Sequence, residues 1–305
     1  MKRMIEVSQS GKYTYVFINS SSLDIIQTCP RKAQYALKMG YRKEDETEAM
    51  AFGSSIHAGI EKMYSLDPDD RRLEAMIDAF TARAAASLSN VPPGDKRSIS
   101  NGHKILKTYF ETYRNDPWKI LLNSDGQPMV EQDFQFPLMD HLDLRIHWFG
   151  RVDAILKNTE TGEVVVCDHK TTSSLGVDFF NRVKPNHQFT GYVLACQKFF
   201  GLPVNQMMVD GIQVAKTKCD LTRVFTYRGE DDFDEFKESV LNTVQNYLDY
   251  GHSNQWPMNT SSCGQYGGCQ YREPCSERQE FRANVLTSLY PNVDLTQGDE
   301  NGDSN

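Results

Sequence analysis

The order of patterns along the chain predicts a mixed α/β fold, with a central mixed sheet flanked by helices. Two observations carry most of that expectation. Helix-period stretches fill much of residues 20–115, and strand-like stretches follow, with one helical stretch among them. Residues 149–172 then read as a β-hairpin: FGRVDAIL, a turn at Asn158–Gly162, and EVVVCDHKTT. A third observation concerns size. The chain has 305 residues, 39% of them hydrophobic, which is enough to bury a sizeable core.

Taken in order, residues 13–18 (YTYVFI) read as a short strand. Ser20-Ser21-Ser22 offers cap hydroxyls to a helix from about Leu23 to Met39, which Pro30 must kink or restart. A charged connection, YRKEDETE, precedes a helix from about Ala49 to Tyr64. Phe52, Ile56, Ile60 and Met63 form its apolar stripe, while His57 and Glu61 share another face. A helix over 69–90 follows, and Val91-Pro92-Pro93-Gly94-Asp95 breaks it. The next helix spans about Ser98 to Asn115. Lys96, Arg97, His103, Lys104 and Lys107 near its start read as a solvated face in preference to a DNA-backbone contact.

Residues 128–137 and 142–149 alternate as strands, with Glu131 read as an edge-strand surface charge in preference to a further metal-site carboxylate. After the hairpin come a helix from about Asn186 to Phe200, strands at 204–215 and 220–228, and an amphipathic helix over about Asp232–Tyr250. Residues 176–184 fit no pattern. The tail from Pro291 is acidic and nearly without apolar residues, and disorder is expected there.

Bulk properties exclude some function classes. No apolar run approaches the roughly 20 residues that span a bilayer, and MKRMIEVSQSGKYTY lacks the apolar core of a secretory signal, so a cytoplasmic location is expected. There is no G-x-x-x-x-G-K-[ST] phosphate loop and no G-x-S-x-G elbow, hence no visible ATP motor in the chain. A net charge of −8 argues against a broad, non-specific DNA binder and leaves room for a local basic groove. Seven cysteines without a secretion signal argue against a disulfide framework. Cys167, Cys196 and Cys219 stand in apolar contexts as small buried hydrophobes.

The chemistry concentrates in the hairpin. Asp168 and Lys170 are two apart and share a face of their strand, His169 points the other way, and Asp153 lies on the partner strand. Hard divalent cations take carboxylate oxygens, and a lysine beside them can orient water or offset charge on phosphate oxygens.

Gly150-x-x-Asp153, Asp168-x-Lys170 and Gln188-x-x-x-Tyr192 together resemble the PD-(D/E)xK nuclease superfamily in its RecB-like branch. The resemblance implies a restriction-endonuclease-like fold. It also brings in His57, because Gly53-Ser54-Ser55-Ile56-His57 matches that branch's Gly-x-x-x-His helix. By this resemblance His57, Asp153, Asp168 and the His169 backbone carbonyl would ligate Mg²⁺ or Mn²⁺. Lys170 would orient water or stabilise developing charge, and Gln188 and Tyr192 would hold substrate or support the lysine. The implied activity is that of a metal-dependent DNA exonuclease on single-stranded ends, in recombination and repair or in phage DNA processing. Two alternatives remain: a CRISPR-adaptation accessory that trims DNA ends within a complex, and a non-catalytic iron–sulfur-stapled DNA-binding module.

Residues 263–275, CGQYGGCQYREPC, place Cys263, Cys269 and Cys275 in one glycine-rich loop. Three thiolates lack a fourth, and Cys29, followed by Pro30, is the candidate. This layout is similar to the iron-staple nucleases, the AddB-type helicase–nucleases and CRISPR-associated iron–sulfur exonucleases, in which four thiolates bind a [4Fe–4S] cluster. Zinc, or thiols with no metal, are the competing readings. The expected organisation is a single nuclease domain over 1–290, its N- and C-terminal segments joined by a cluster on these four cysteines. Within it, 20–128 is mainly helical, 129–230 is the catalytic core, 231–290 carries the last helix and cysteine loop, and 291–305 is the tail.

Overall fold

A computed structural model of the chain describes residues 5–42, 47–66 and 73–290. The acidic tail at 291–305 lies outside the described residues, as do 43–46 of the charged connection and 67–72 at the start of the third expected helix. The chain forms two compact units, one from 1–45, 136–149 and 234–305 and the other from 46–135 and 150–233.

In the first unit, β1 (Ile5–Ser10) pairs antiparallel with β2 (Tyr13–Ile18). The β2 strand runs parallel to the opening half of β5 (Leu144–Asn158), from Thr14↔Leu144 to Ile18↔Trp148. The helix α1 (Ser20–Thr28) is capped by Asn19, whose Oδ1 accepts from the Ser22 amide at 2.9 Å while Ser22 Oγ accepts from the Asn19 amide at 3.1 Å. It stops one residue before Cys29. Pro30, which has no amide hydrogen to give an earlier turn, then starts α2 (Pro30–Ala33), as its fixed φ favours. A π-helical turn, Gln34–Lys38, completes the segment.

This N-terminal segment packs on the C-terminal one. Gln27 Nε2 donates to the hydroxyls of Ser239 and Thr243, each at 3.1 Å, and Arg31 Nε donates to the Trp256 carbonyl at 2.8 Å. The two hydroxyls belong to α8 (Glu230–Ser253), whose later part carries Phe236, edge-on to Trp148 at 5.0 Å. Short helices α9 (Arg272–Ser276) and α10 (Arg282–Leu289) follow. Tyr271, fully buried, donates its hydroxyl to the Tyr41 carbonyl.

The second unit holds the main mixed sheet. Its strands are β3 (Trp118–Ile120), the start of β4 (Val130–His141), the end of β5, β6 (Val164–Thr172), β7 (Gln206–Gln213) and β8 (Leu221–Tyr227). The path is β5-β6-β7-β8, with β3 and β4 both pairing with β5. The β5–β6 hairpin is antiparallel, Ala154↔Cys167 to Lys157↔Val164, and β6 and β7 are parallel. The parallel step requires a crossover, which is supplied by α6 (Val177–Asn181) and α7 (His187–Lys198).

Helices α3 (Glu48–Ser65), α4 (Leu73–Ala84) and α5 (Ile99–Tyr113) build the core against this sheet, joining Phe52, Ile56, Phe80 and Leu106 to Leu156, Val165 and Met208. Gly102 is required where α5 meets α4, since a Cβ there would lie 2.1 Å from Phe80 Cζ. The α4 helix ends at Ala84, short of the expected 90. Ser87, Ser89 and Asn90 compete for backbone hydrogen bonds and favour turns instead. The mixed sheet flanked by helices is the architecture that the sequence patterns predict.

Candidate active site

Every site residue expected from the hairpin, the His57 helix and the Gln188–Tyr192 helix lies in the second unit. His57 projects from α3 toward β5, with Nδ1 3.5 Å from Asp153 Oδ2. That same oxygen accepts the His169 backbone amide at 2.8 Å, because the β5–β6 ladder ends at Ala154↔Cys167 and leaves the amide beyond it free for a side chain. One carboxylate therefore ties the helix to the open end of the hairpin.

Asp168 and Lys170 share a face, as strand periodicity requires. Lys170 Nζ is 2.7 Å from Asp168 Oδ2, an ion pair without the alignment of a directed hydrogen bond. The amine does make such a bond to Gln188 Oε1 at 3.1 Å, and Gln188 Nε2 donates to Tyr192 Oη at 3.0 Å. Gln188, fixed by Tyr192 one turn further along α7, thus holds the amine together with Asp168. Tyr192 is itself fixed edge-on against Phe134, at 6.0 Å. Gly150 leaves room for Phe134, since a Cβ there would come 2.9 Å from its ring.

The surroundings set the charges. Asp168 is almost completely buried, and burial, reinforced by the Asp153 charge and opposed by Lys170, raises its carboxyl to about 6. For Lys170, burial alone would favour the neutral amine, but Asp168 and Asp153 outweigh it and hold the ammonium above its ordinary value. Burial keeps His57 below the ordinary imidazole value against the pull of Asp153, so it is neutral and able to ligate. Tyr192 is held well above its ordinary value by burial and by the Asp168 and Asp153 charges, and acts as a neutral phenol.

The sequence reading weighed Glu131 as a metal-site carboxylate and preferred a surface charge. In the structure it converges with His57 and Asp153, and one ligand atom from each lies within 4.8 Å of the others. Its φ of 48° is unusual for a residue with a side chain, a local strain of the kind that collects at functional sites. Burial, with the charges of Asp153 and Glu61, pushes its carboxyl up to about 7, although Arg151 Nη1 lies 3.6 Å away. Carboxylates forced together until one holds a proton, with a neutral imidazole beside them, are a donor set that a hard divalent cation would relieve.

A second layer, which the sequence reading missed, lies behind His169. The registers His169↔Asp210 and Asp210↔Arg223 align three charged side chains across β6, β7 and β8. Asp210 is fully buried, with Oδ2 3.2 Å from His169 Nδ1, 2.6 Å from the donating Tyr109 hydroxyl and 3.7 Å from Arg223 Nε. Burial alone would neutralise both His169 and Asp210, yet their mutual contact raises the imidazole and lowers the carboxyl, so the pair is ionised. Arg223 also pairs with Asp116, donates to Tyr64 Oη at 3.2 Å and lies over the Tyr113 ring at 3.7 Å. The Tyr64 ring stacks on His169 at 6.0 Å. This ladder clamps the backbone between Asp168 and Lys170.

In the first unit, the Asn259 amide donates to Cys29 Sγ at 3.4 Å, and Cys263 Sγ lies 3.9 Å from the Asn259 carbonyl. The Cys269 amide donates to the Cys263 carbonyl at 2.9 Å across Gly267 and Gly268, whose φ values are 87° and 106°. Burial raises the Cys275 thiol, Arg31 opposes this, and Cys269 and Cys29 add to the rise, so these groups are neighbours. The four cysteines, all without a disulfide, thus gather where the N- and C-terminal segments meet. They are not among the sets whose ligand atoms converge within 4.8 Å. Donor atoms around a multi-iron cluster stand further apart than those around a single ion.

A helix-borne imidazole, strand-borne acids and a paired lysine gathered at the end of a mixed sheet define the class of acid–lysine nucleases. The family model described as the PD-(D/E)XK nuclease superfamily matches residues 18–276, and the chain belongs to that superfamily. Among solved structures, a candidate exonuclease from Eubacterium rectale is similar at 13% identity, covering 76% of this chain and 80% of that one with a TM-score of 0.46. The protein SSO0001 is similar at 11% identity, covering 78% of each chain, with a TM-score of 0.34. No curated protein matches.

Proposed function

We propose that the chain is a Mg²⁺- or Mn²⁺-dependent DNA exonuclease that acts on single-stranded ends in recombination and repair or phage DNA processing. The convergence of His57, Glu131 and Asp153 within 4.8 Å carries the reading, together with membership of a nuclease superfamily whose members use divalent metals. His57, Glu131 and Asp153 would supply the converging side-chain donors, with Asp168, which stands outside that set, and the His169 carbonyl as further oxygens. A bound divalent cation would supply Lewis-acid polarisation of the phosphate and a more acidic water.

The chain's own groups do the rest. The ammonium of Lys170 stands ready to donate to a phosphate oxygen on which charge develops. Gln188 holds that amine in place, and the neutral Tyr192 phenol fixes Gln188. The ladder behind His169 fixes the strand that carries both Asp168 and Lys170.

Support for a [4Fe–4S] cluster at Cys29, Cys263, Cys269 and Cys275 is the gathering of four thiols, with an amide donated to Cys29 and Arg31 beside Cys275. Such a cluster would be structural, locking together segments that already share hydrogen bonds. Digestion of an end-labelled single strand with Mn²⁺ tests the main reading. Stepwise shortening is expected from the native chain and none from Asp153→Ala, and full activity of purified Asp153→Ala protein refutes the metal assignment.

A further inference from the structure

Beside the reacting groups, β6 and the loop and helix that follow it enclose a cavity of about 400 Å³. Lys170 alone of the proposed catalytic set lines it, so the cavity opens directly from the point where a phosphate would meet the amine. Aromatic rings form part of the wall. Phe189 is buried, with Lys170 Nζ 5.7 Å from its centre, while Phe179 is half-buried and packs on Gly211, where a Cβ would come 2.7 Å from its ring. Asp178 and Arg182 also line it with opposite charges, and Phe179, Val183, Phe189 and Val209 add an apolar wall that suits the uncharged part of a nucleotide.

A second, smaller cavity shares the wall Thr171–Thr172–Ser173 and is lined on its far side by Lys96 and Arg97. Two of the basic residues read from sequence as a solvated face therefore line a recess next to the site. The cavity lined by Lys170 and the recess lined by Lys96 and Arg97 thus adjoin through Thr171–Ser173, and a single strand that meets the amine can also reach the recess.

We propose that the larger cavity takes the base of the nucleotide adjoining the scissile phosphate of a single-stranded end, stacked against Phe179, and that Lys96 and Arg97 take a neighbouring phosphate. This rests on the nuclease reading above and names its substrate contacts. A duplex end fits poorly, because a base held in this cavity is unpaired.

Binding of fluorescent single-stranded oligonucleotides, followed by anisotropy in EDTA, tests the proposal apart from catalysis. One set is intact. Another carries an abasic tetrahydrofuran residue at each of the terminal positions in turn. For the native chain, removing the base at one position weakens binding about 5- to 100-fold, the range for loss of one stacked base. Phe179→Leu, which keeps the volume but not the ring face, weakens binding of the intact strand to a similar degree and no longer distinguishes it from the abasic one. Lys96→Gln with Arg97→Gln lowers the slope of log Kd against log[salt] by about 0.7, the loss of one neutralised single-strand phosphate. Equal binding of intact and abasic strands by the native chain, or equal loss on both in Phe179→Leu, overturns the pocket. Base discrimination in binding with no cleavage of any strand in Mn²⁺ leaves the pocket standing and overturns the nuclease reading instead.

Discussion

Replacing Glu131 with glutamine keeps the size of the side chain and removes its charge, which separates the cost of holding that charge from its use. The Glu131 side chain is 26% exposed. Its carboxyl is held up at about 7 by burial first, then by Asp153 and Glu61, against an ordinary 4.5. A folded value above the unfolded one means that the folded state binds the proton more tightly. Stability from this group is therefore fully present below about 4.5 and is lost as pH rises toward 7. At about 1.4 kcal/mol for each tenfold difference in proton affinity, the loss is on the order of 3 kcal/mol in metal-free protein. Urea denaturation in EDTA at pH 5 and pH 8 measures it. Glu131→Gln should gain on the native chain between those two pH values by roughly this amount. Millimolar Mn²⁺ should reverse the ranking, because a cation turns the unfavourable charge into a ligand. A stability difference that is flat with pH, or a variant that binds Mn²⁺ as well as the native chain, refutes the reasoning.

Five further outcomes are expected. Lys170→Ala should lower kcat on the order of 10²- to 10³-fold in protein that still folds, and Asp153→Asn, which can still accept the His169 amide, should keep the fold and lose Mn²⁺ binding by calorimetry. Titrated Mn²⁺ affinity should fall as pH drops through 7 and 6, where Glu131 and then Asp168 take up protons, and should level off above. Arg223→Met strands Asp210 and Asp116 in the interior and should destabilise by about 3–5 kcal/mol in urea, a result that a neutral outcome would contradict. Cys29→Ser or Cys275→Ser, purified without oxygen, should lose the iron and brown colour expected of the native protein, whereas equal iron content in variant and native chain removes the cluster proposal.

What the sequence made legible was local. The β5–β6 hairpin could be read because its two strands and turn are contiguous, and Asp168 and Lys170 share a face by strand period alone. His57 and the Gln188–Tyr192 pair could be read once helix spacing was joined to the family resemblance. Glu131 could be raised as a candidate but not chosen, because a lone glutamate in a strand looks like any solvated charge, and its position depends on how β4 pairs with β5. Asp210 and Arg223 could not be read. They lie in strands that read as ordinary apolar stretches, and their alignment with His169 is set by the parallel β6–β7 register, which no local pattern encodes. Lys96 and Arg97 were read as solvent-facing because helix periodicity says nothing about what lies across from a helix start.

The interleaving of the two units shapes how the protein can be made. The first unit draws on three separate stretches of chain, the last beginning at Asp234. On the ribosome, the sheet that bears the acids and lysine can therefore close before the partners of Cys29 have been synthesised. Nascent chains stalled before Cys263 would carry the hydrolytic groups without the residues that gather round Asn259. Maturation of such a protein would be governed by the stretch from Asp234 onward, the part of the first unit made last.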